Sequence, residues 1–150
     1  ASAREAAAAN ARAAGLDVRS DLEDAASSGG APSGGAPSGV RPRLDLRLAD
    51  ATATALADAA FDVLVADPPW GDALGEASDL PALYRGLLTE AARLVAPGGV
   101  AVVVSHALRV WEAAVDETRE LWTPDGSLRV FHGGHRPRVQ RLIRRPRRGS

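Results

Sequence analysis

Cysteine is absent from these 150 residues, and so is methionine. Without cysteine there is no disulfide framework and no thiolate metal site. Lysine is missing too, so all 18 basic residues are arginines. Aromatics are scarce, with three tryptophans, two phenylalanines and one tyrosine, and much of the 45% hydrophobic content is alanine. No apolar run approaches the ~20 residues of a membrane-spanning helix, and no signal-peptide pattern opens the chain. The expectation is one globular domain with a small core, in the cytoplasm and without a membrane partner. The chain opens on Ala1-Ser2 already inside a helical pattern, which reads as the C-terminal part of a longer protein.

Charge is present but unevenly spread. Residues 1–126 hold ten arginines against nineteen acids, a net charge of −9, and residues 127–150 hold eight arginines and no acid. The end of the chain, 144–150, reads as a basic tail that either contacts phosphate or is simply solvated. Residues 26–39 repeat Gly-Gly-Ala-Pro-Ser-Gly and form a flexible, low-complexity insertion. Around it, an Ala-rich helix over 2–14 stops at Gly15, and alternation over 44–48 suggests a strand. A helix or turn over 52–59 precedes a buried strand at 61–66, a helix at 81–95 and a turn at Pro97-Gly98-Gly99. A strand at 100–104, a helix at 107–120 and an antiparallel pair at 128–132 and 138–143 complete the pattern. Strands alternating with helices indicate a doubly wound α/β sheet, whose ligands sit beyond the carboxyl ends of the strands.

The strand at 61–66 runs straight into Asp67-Pro68-Pro69-Trp70-Gly71. Two consecutive prolines fix two φ angles and remove two backbone donors, so the ladder cannot continue past Asp67. What is presented there is a carboxylate, an unpaired carbonyl and a flat ring, a set suited to a planar amine. Asp67-Pro68-Pro69-Trp70 resembles motif IV, the (Asp/Asn/Ser)-Pro-Pro-aromatic signature of S-adenosylmethionine-dependent amino-methyltransferases. In style the chain looks like the latter two-thirds of a class I methyltransferase domain, similar to the RNA guanine-N2 methylases that carry a THUMP RNA-binding domain. The similarity extends to Ala6–Gly15 with Asn10, to Leu48-Ala49-Asp50-Ala51, and to Leu83-Tyr84 through Pro97-Gly98-Gly99.

That resemblance implies a Rossmann-like methyltransferase fold over 1–143 that lacks its first two strands. It implies S-adenosyl-L-methionine as cofactor and RNA, most naturally tRNA, as partner, together with the upstream half of the same domain. Asp67, Pro68, Pro69 and Trp70 would be the catalytic residues, and Asp50, Ala51 and Asp67 would meet the cofactor. Two departures stand out: Trp70 occupies a position where Tyr or Phe is more usual, and motif I, the glycine-rich cofactor loop, has no counterpart here. The fragment alone is therefore expected to be inactive. The residues leave other possibilities open: an adenine-N6 methylase, a protein-amide methylase, or a methyltransferase-like RNA-binding module without turnover. Asp50 could instead cap a following helix, His106 could be a base or a structural contact, and Gly133-Gly134-His135-Arg136 could be a hairpin turn or a substrate contact. Tyr84 and Trp111 read as core.

Overall fold

The computed structural model describes residues 3–20, 43–69, 80–131 and 133–146. The expected insertion at 26–39, Trp70 and the end of the basic tail lie outside the described residues. The chain divides into two compact units, 1–49 and 50–150.

The first unit holds helix α1 (Ala3–Ala13), strand β1 (Asp17–Ser20) and strand β2 (Arg43–Leu46). Alanine favours the helix, and Gly15 ends it at φ +79°. There the Leu16 N–H donates to the Ala11 carbonyl and the Gly15 N–H to the Arg12 carbonyl, each at 3.0 Å. This is a Schellman motif, and Leu16 packs on the small cluster of Ala8, Ala11 and Val18. β1 was not expected from the sequence. It pairs in parallel with β2, Asp17 opposite Arg43 and Arg19 opposite Asp45, so opposite charges face each other along the pair.

The second unit contains β3 (Phe61–Ala66), α2 (Leu80–Leu94), β4 (Val95–Ser105), α3 (Leu108–Glu117), β5 (Trp122–Arg129) and β6 (Arg138–Arg144). Its sheet runs β3-β4-β6-β5. β3 and β4 are parallel, while β6 lies antiparallel to both β4 and β5. α2 and α3 both bury their apolar stripes on the sheet face carrying Leu64, Ala66, Ala101, Val103 and Leu142. The other face of β3 shows Val63 and Val65 at 57% and 73% exposure.

Several boundaries differ from expectation. The segment 52–59 forms turns without a helix, and Ala55 and Ala59 adopt φ +58° and +52°. β4 begins at Val95 rather than 100, because Pro97-Gly98-Gly99 is an irregularity within the strand: Phe61 faces Val95 and Val63 already faces Val100. A Cβ on Gly99 would lie 2.7 Å from the Asp62 carbonyl oxygen, so the close approach requires glycine. β5 begins at Trp122 rather than 128. Asp125-Gly126 forms a bulge between the Pro124–Leu142 and Ser127–Gln140 pairs, with Gly126 at φ +110°. β6 extends to Arg144, the first residue of the expected tail. That guanidinium is buried, and its Nε donates to the Ala92 carbonyl at 2.6 Å.

Candidate active site

β3 stops where its donors stop. Pro68 is buried while Asp67 and Pro69 on either side of it are exposed. Tyr84, on the first turns of α2, is fully buried, and its hydroxyl donates to the Pro69 carbonyl across a long 3.4 Å. The Ser105 hydroxyl, at the end of β4, donates to the same Tyr84 oxygen at 3.4 Å. Tyr84 also meets Trp111 edge-on at 5.9 Å, and Trp111 Nε1 donates to Gln140 Oε1 on β6. Tyr84 thus belongs to the core, as expected, and also joins the end of β3 to β4 and α3.

Asp50 begins a tight turn. Its Oδ1 accepts from the Thr52 N–H at 2.8 Å and from the Thr52 hydroxyl at 2.7 Å, and the Ala53 N–H donates to its carbonyl at 3.0 Å. The Thr52 bonds, the backbone one foremost, hold the carboxyl below the usual carboxylate range. No helix follows, so the bond to Thr52 makes an Asx turn rather than a helix cap. Ala51 is exposed beside it.

The segment after Asp50 descends along one side of α2. The Thr52 methyl lies so near Gly86 that a Cβ there would approach it to 2.9 Å. Further along, Glu90 Oε1 accepts from both the N–H and the hydroxyl of Thr54, at 2.9 and 2.7 Å. Arg93 closes the series: its Nε and Nη2 grip Glu90 at 2.8 and 2.7 Å, and its Nη1 reaches the Leu56 carbonyl and Asp58, both at 2.6 Å. The fork from Arg93, then the Thr54 hydroxyl, push the Glu90 carboxyl down to about 2. Glu90 and Asp58 raise Arg93 in turn.

Because these contacts progress from Gly86 to Arg93, Asp50-Ala51 sits toward the start of α2. Tyr84, which holds Pro69, is at that same end. The two predicted carboxylates therefore share the carboxyl end of the sheet, each tethered to α2 by a different side, though neither is a hydrogen-bond partner of the other. Sequence reasoning missed Glu90 and Arg93. Their spacing of three on an amphipathic helix gives only an ordinary ion pair, without a hint of Thr54. His106 follows Ser105 at this end and stacks edge-on against His135, with centroids 5.9 Å apart. Among the described residues there is no cluster of metal-ligand type, and no helix is long and apolar enough to cross a membrane.

A family model described as UPF0020, RMKL-like, methyltransferase domain, matches residues 4–138. The chain belongs to that family. Three solved structures place the UPF0020 chain among methyltransferase folds. TrmN from Thermus thermophilus is 25% identical with a TM-score of 0.54, over 69% of this chain and 28% of TrmN. The N-methyltransferase NodS from Bradyrhizobium japonicum is 18% identical with a TM-score of 0.50, over 69% of this chain and 61% of NodS. TTHA0409 from Thermus thermophilus, provisionally described as a DNA modification methylase and solved with S-adenosyl-L-methionine, is 14% identical with a TM-score of 0.51, over 69% of this chain and 56% of that one. The likeness to NodS and TTHA0409 is one of fold. The chain thus spans between about a quarter and three-fifths of the neighbours it matches. No curated protein matches it.

Proposed function

We propose that this chain is the C-terminal part of an S-adenosylmethionine-dependent N-methyltransferase that acts on RNA, at guanine N2 in tRNA. The observation that carries the proposal is Asp67, a strand-end carboxylate that takes no hydrogen bond from the described residues, next to two prolines that leave their carbonyls as the local polar groups. An exocyclic amine is a poor nucleophile because its lone pair is delocalised into the ring. Asp67 and the Pro68 carbonyl accept its N–H bonds and turn the lone pair toward the electrophile, while Trp70 stacks on the base. The rate gain comes from alignment and from acceptors already in place where positive charge develops on nitrogen. A target inside a duplex has to be flipped out first.

The residues suit one end of the cofactor. Asp50 Oδ1 is occupied by Thr52, whereas Oδ2 takes no hydrogen bond from the described residues and can accept from the adenine amino group. Ala51 offers its N–H to the ring. S-adenosyl-L-methionine, when bound, supplies the electrophilic methyl group. We read the whole fold as doubly wound and short of its first two strands and glycine-rich loop, which residues outside this chain would provide, in a cytoplasmic enzyme. On its own the chain should then bind the cofactor poorly.

The test uses the full-length protein, a tRNA pool and methyl-labelled cofactor, with digestion to nucleosides and mass spectrometry. N2-methylguanosine is the expected product. Label on adenine N6 would move the target to the other base, and an unlabelled RNA pool would overturn the RNA reading.

A further inference from the structure

The β5–β6 connection is brought to the candidate site by topology. β6 runs antiparallel to β4 with Arg138 opposite Ser105, so residues 130–131 and 133–137 lie beyond the carboxyl ends of β3 and β4, at the edge that carries Asp67. The ring contact between His106 and His135 ties the hairpin to that edge. Since β6 is two strands from β3, the hairpin base stands roughly 10 Å from the Asp67 end.

Three features of this hairpin are unexplained by folding alone. Phe131 is 71% exposed at its tip, in a chain with only two phenylalanines. Arg129 lies directly opposite Arg138, an arrangement that destabilises an isolated pair of strands. Glu112 on α3 answers Arg138 at 2.5 Å, but no carboxylate among the described residues pairs with Arg129 or Arg136. The loop itself is well formed: the Val130 N–H donates to the Pro137 carbonyl at 3.0 Å, and Gly133 and Gly134 turn at φ +55° and +85°.

We propose that the β5–β6 hairpin tip is a gripping element for single-stranded nucleic acid, with Phe131 stacking on a base that neighbours the target and Arg129 and Arg136 meeting the flanking phosphates. The inference rests on Asp67 receiving a target base, since a base drawn to that strand end leaves its neighbours within reach of the hairpin. An exposed ring between unanswered guanidinium groups matches the alternation of base and phosphate, and base–aromatic stacking tolerates any sequence. An acidic peptide would satisfy the arginines but leave the ring without a flat partner.

Equilibrium binding by fluorescence anisotropy decides it. The full-length protein is titrated against a labelled single-stranded oligoribonucleotide of mixed sequence, its deoxy counterpart, and a polyglutamate peptide. Phe131→Leu keeps the apolar bulk but removes the π face, and should weaken both oligonucleotides about 5- to 150-fold, with Phe131→Tyr restoring the parent affinity. Arg129→Ala and Arg136→Ala should each lower the dependence of log K on log salt by about 0.7, while Arg119→Ala after α3 leaves it unchanged. Phe131→Leu binding like the parent, or an effect confined to the peptide, would overturn the proposal. Binding needs no turnover, so a protein that grips RNA through the tip yet methylates nothing would refute the enzymatic reading separately.

Discussion

Asp50 and Asp67 both stand at the carboxyl end of the sheet, yet their surroundings are opposite. Asp50 is held by its own sequence neighbour, with Oδ1 committed to the backbone and hydroxyl of Thr52. Asp67 is followed by two residues that have no N–H to give, and its carboxylate takes no hydrogen bond from the described residues. A carboxylate bonded locally shapes a turn, whereas one left unbonded beside rigid prolines is available to a ligand. The two also depend on different sides of α2. The Asp67 end rests on Tyr84 and the sheet core, and the Asp50 segment rests on Gly86, Glu90 and Arg93.

Separating the two sides of α2 sharpens this contrast. Glu90→Ala should have the largest structural effect. It strips Arg93 of its fork and Thr54 of its acceptor in a buried setting, and should cost about 2–4 kcal/mol in urea denaturation. The same group predicts a pH dependence. Its folded pKa of about 2 lies below the unfolded 4.5, so its stabilisation is complete above pH 4.5 and fades as pH falls toward 2. Glu90→Gln should lack that component of acid sensitivity. If Glu90→Ala left stability unchanged, the segment after Asp50 would not depend on α2.

Tyr84→Phe is a smaller, cleaner cut on the other side. It removes the long hydrogen bond to Pro69 and the equally long one accepted from Ser105, while preserving the ring against Trp111. Stability should fall by about 0.5–1.5 kcal/mol, with methyl transfer slowed and cofactor affinity retained. Loss of cofactor affinity with transfer intact would reverse the roles assigned to the two sides. Asp50→Asn should do least to the fold, within about 0.5 kcal/mol, because an amide oxygen can still accept from Thr52.

Elements with strong local signals were legible in the sequence. Gly15 marked the end of α1, and the apolar run before Asp67 marked β3. A breaker misled where tertiary pairing absorbed it: Pro97-Gly98-Gly99 reads as a turn but lies inside β4. β1 was missed because four residues carry too little periodicity to stand out, and its partner lies beyond a long insertion. At the candidate site the prolines advertised Asp67 directly. The supports of the site did not, because Tyr84 to Pro69 and Thr54 to Glu90 join residues 15 and 36 positions apart. Arg144 likewise reads as part of a basic tail, for phosphate or for solvent, and only the fold reveals the Ala92 carbonyl waiting for it.

The account turns on the division of labour between the two aspartates, and Asp67→Ala in the full-length protein tests it most directly. Single-turnover methyl transfer and calorimetric titration of S-adenosyl-L-methionine are measured on the same sample. Losing the aligned acceptor should raise the barrier by at least ~2–3 kcal/mol, roughly 30- to 150-fold in rate, with cofactor affinity close to that of the parent. Full transfer activity in Asp67→Ala would contradict the account.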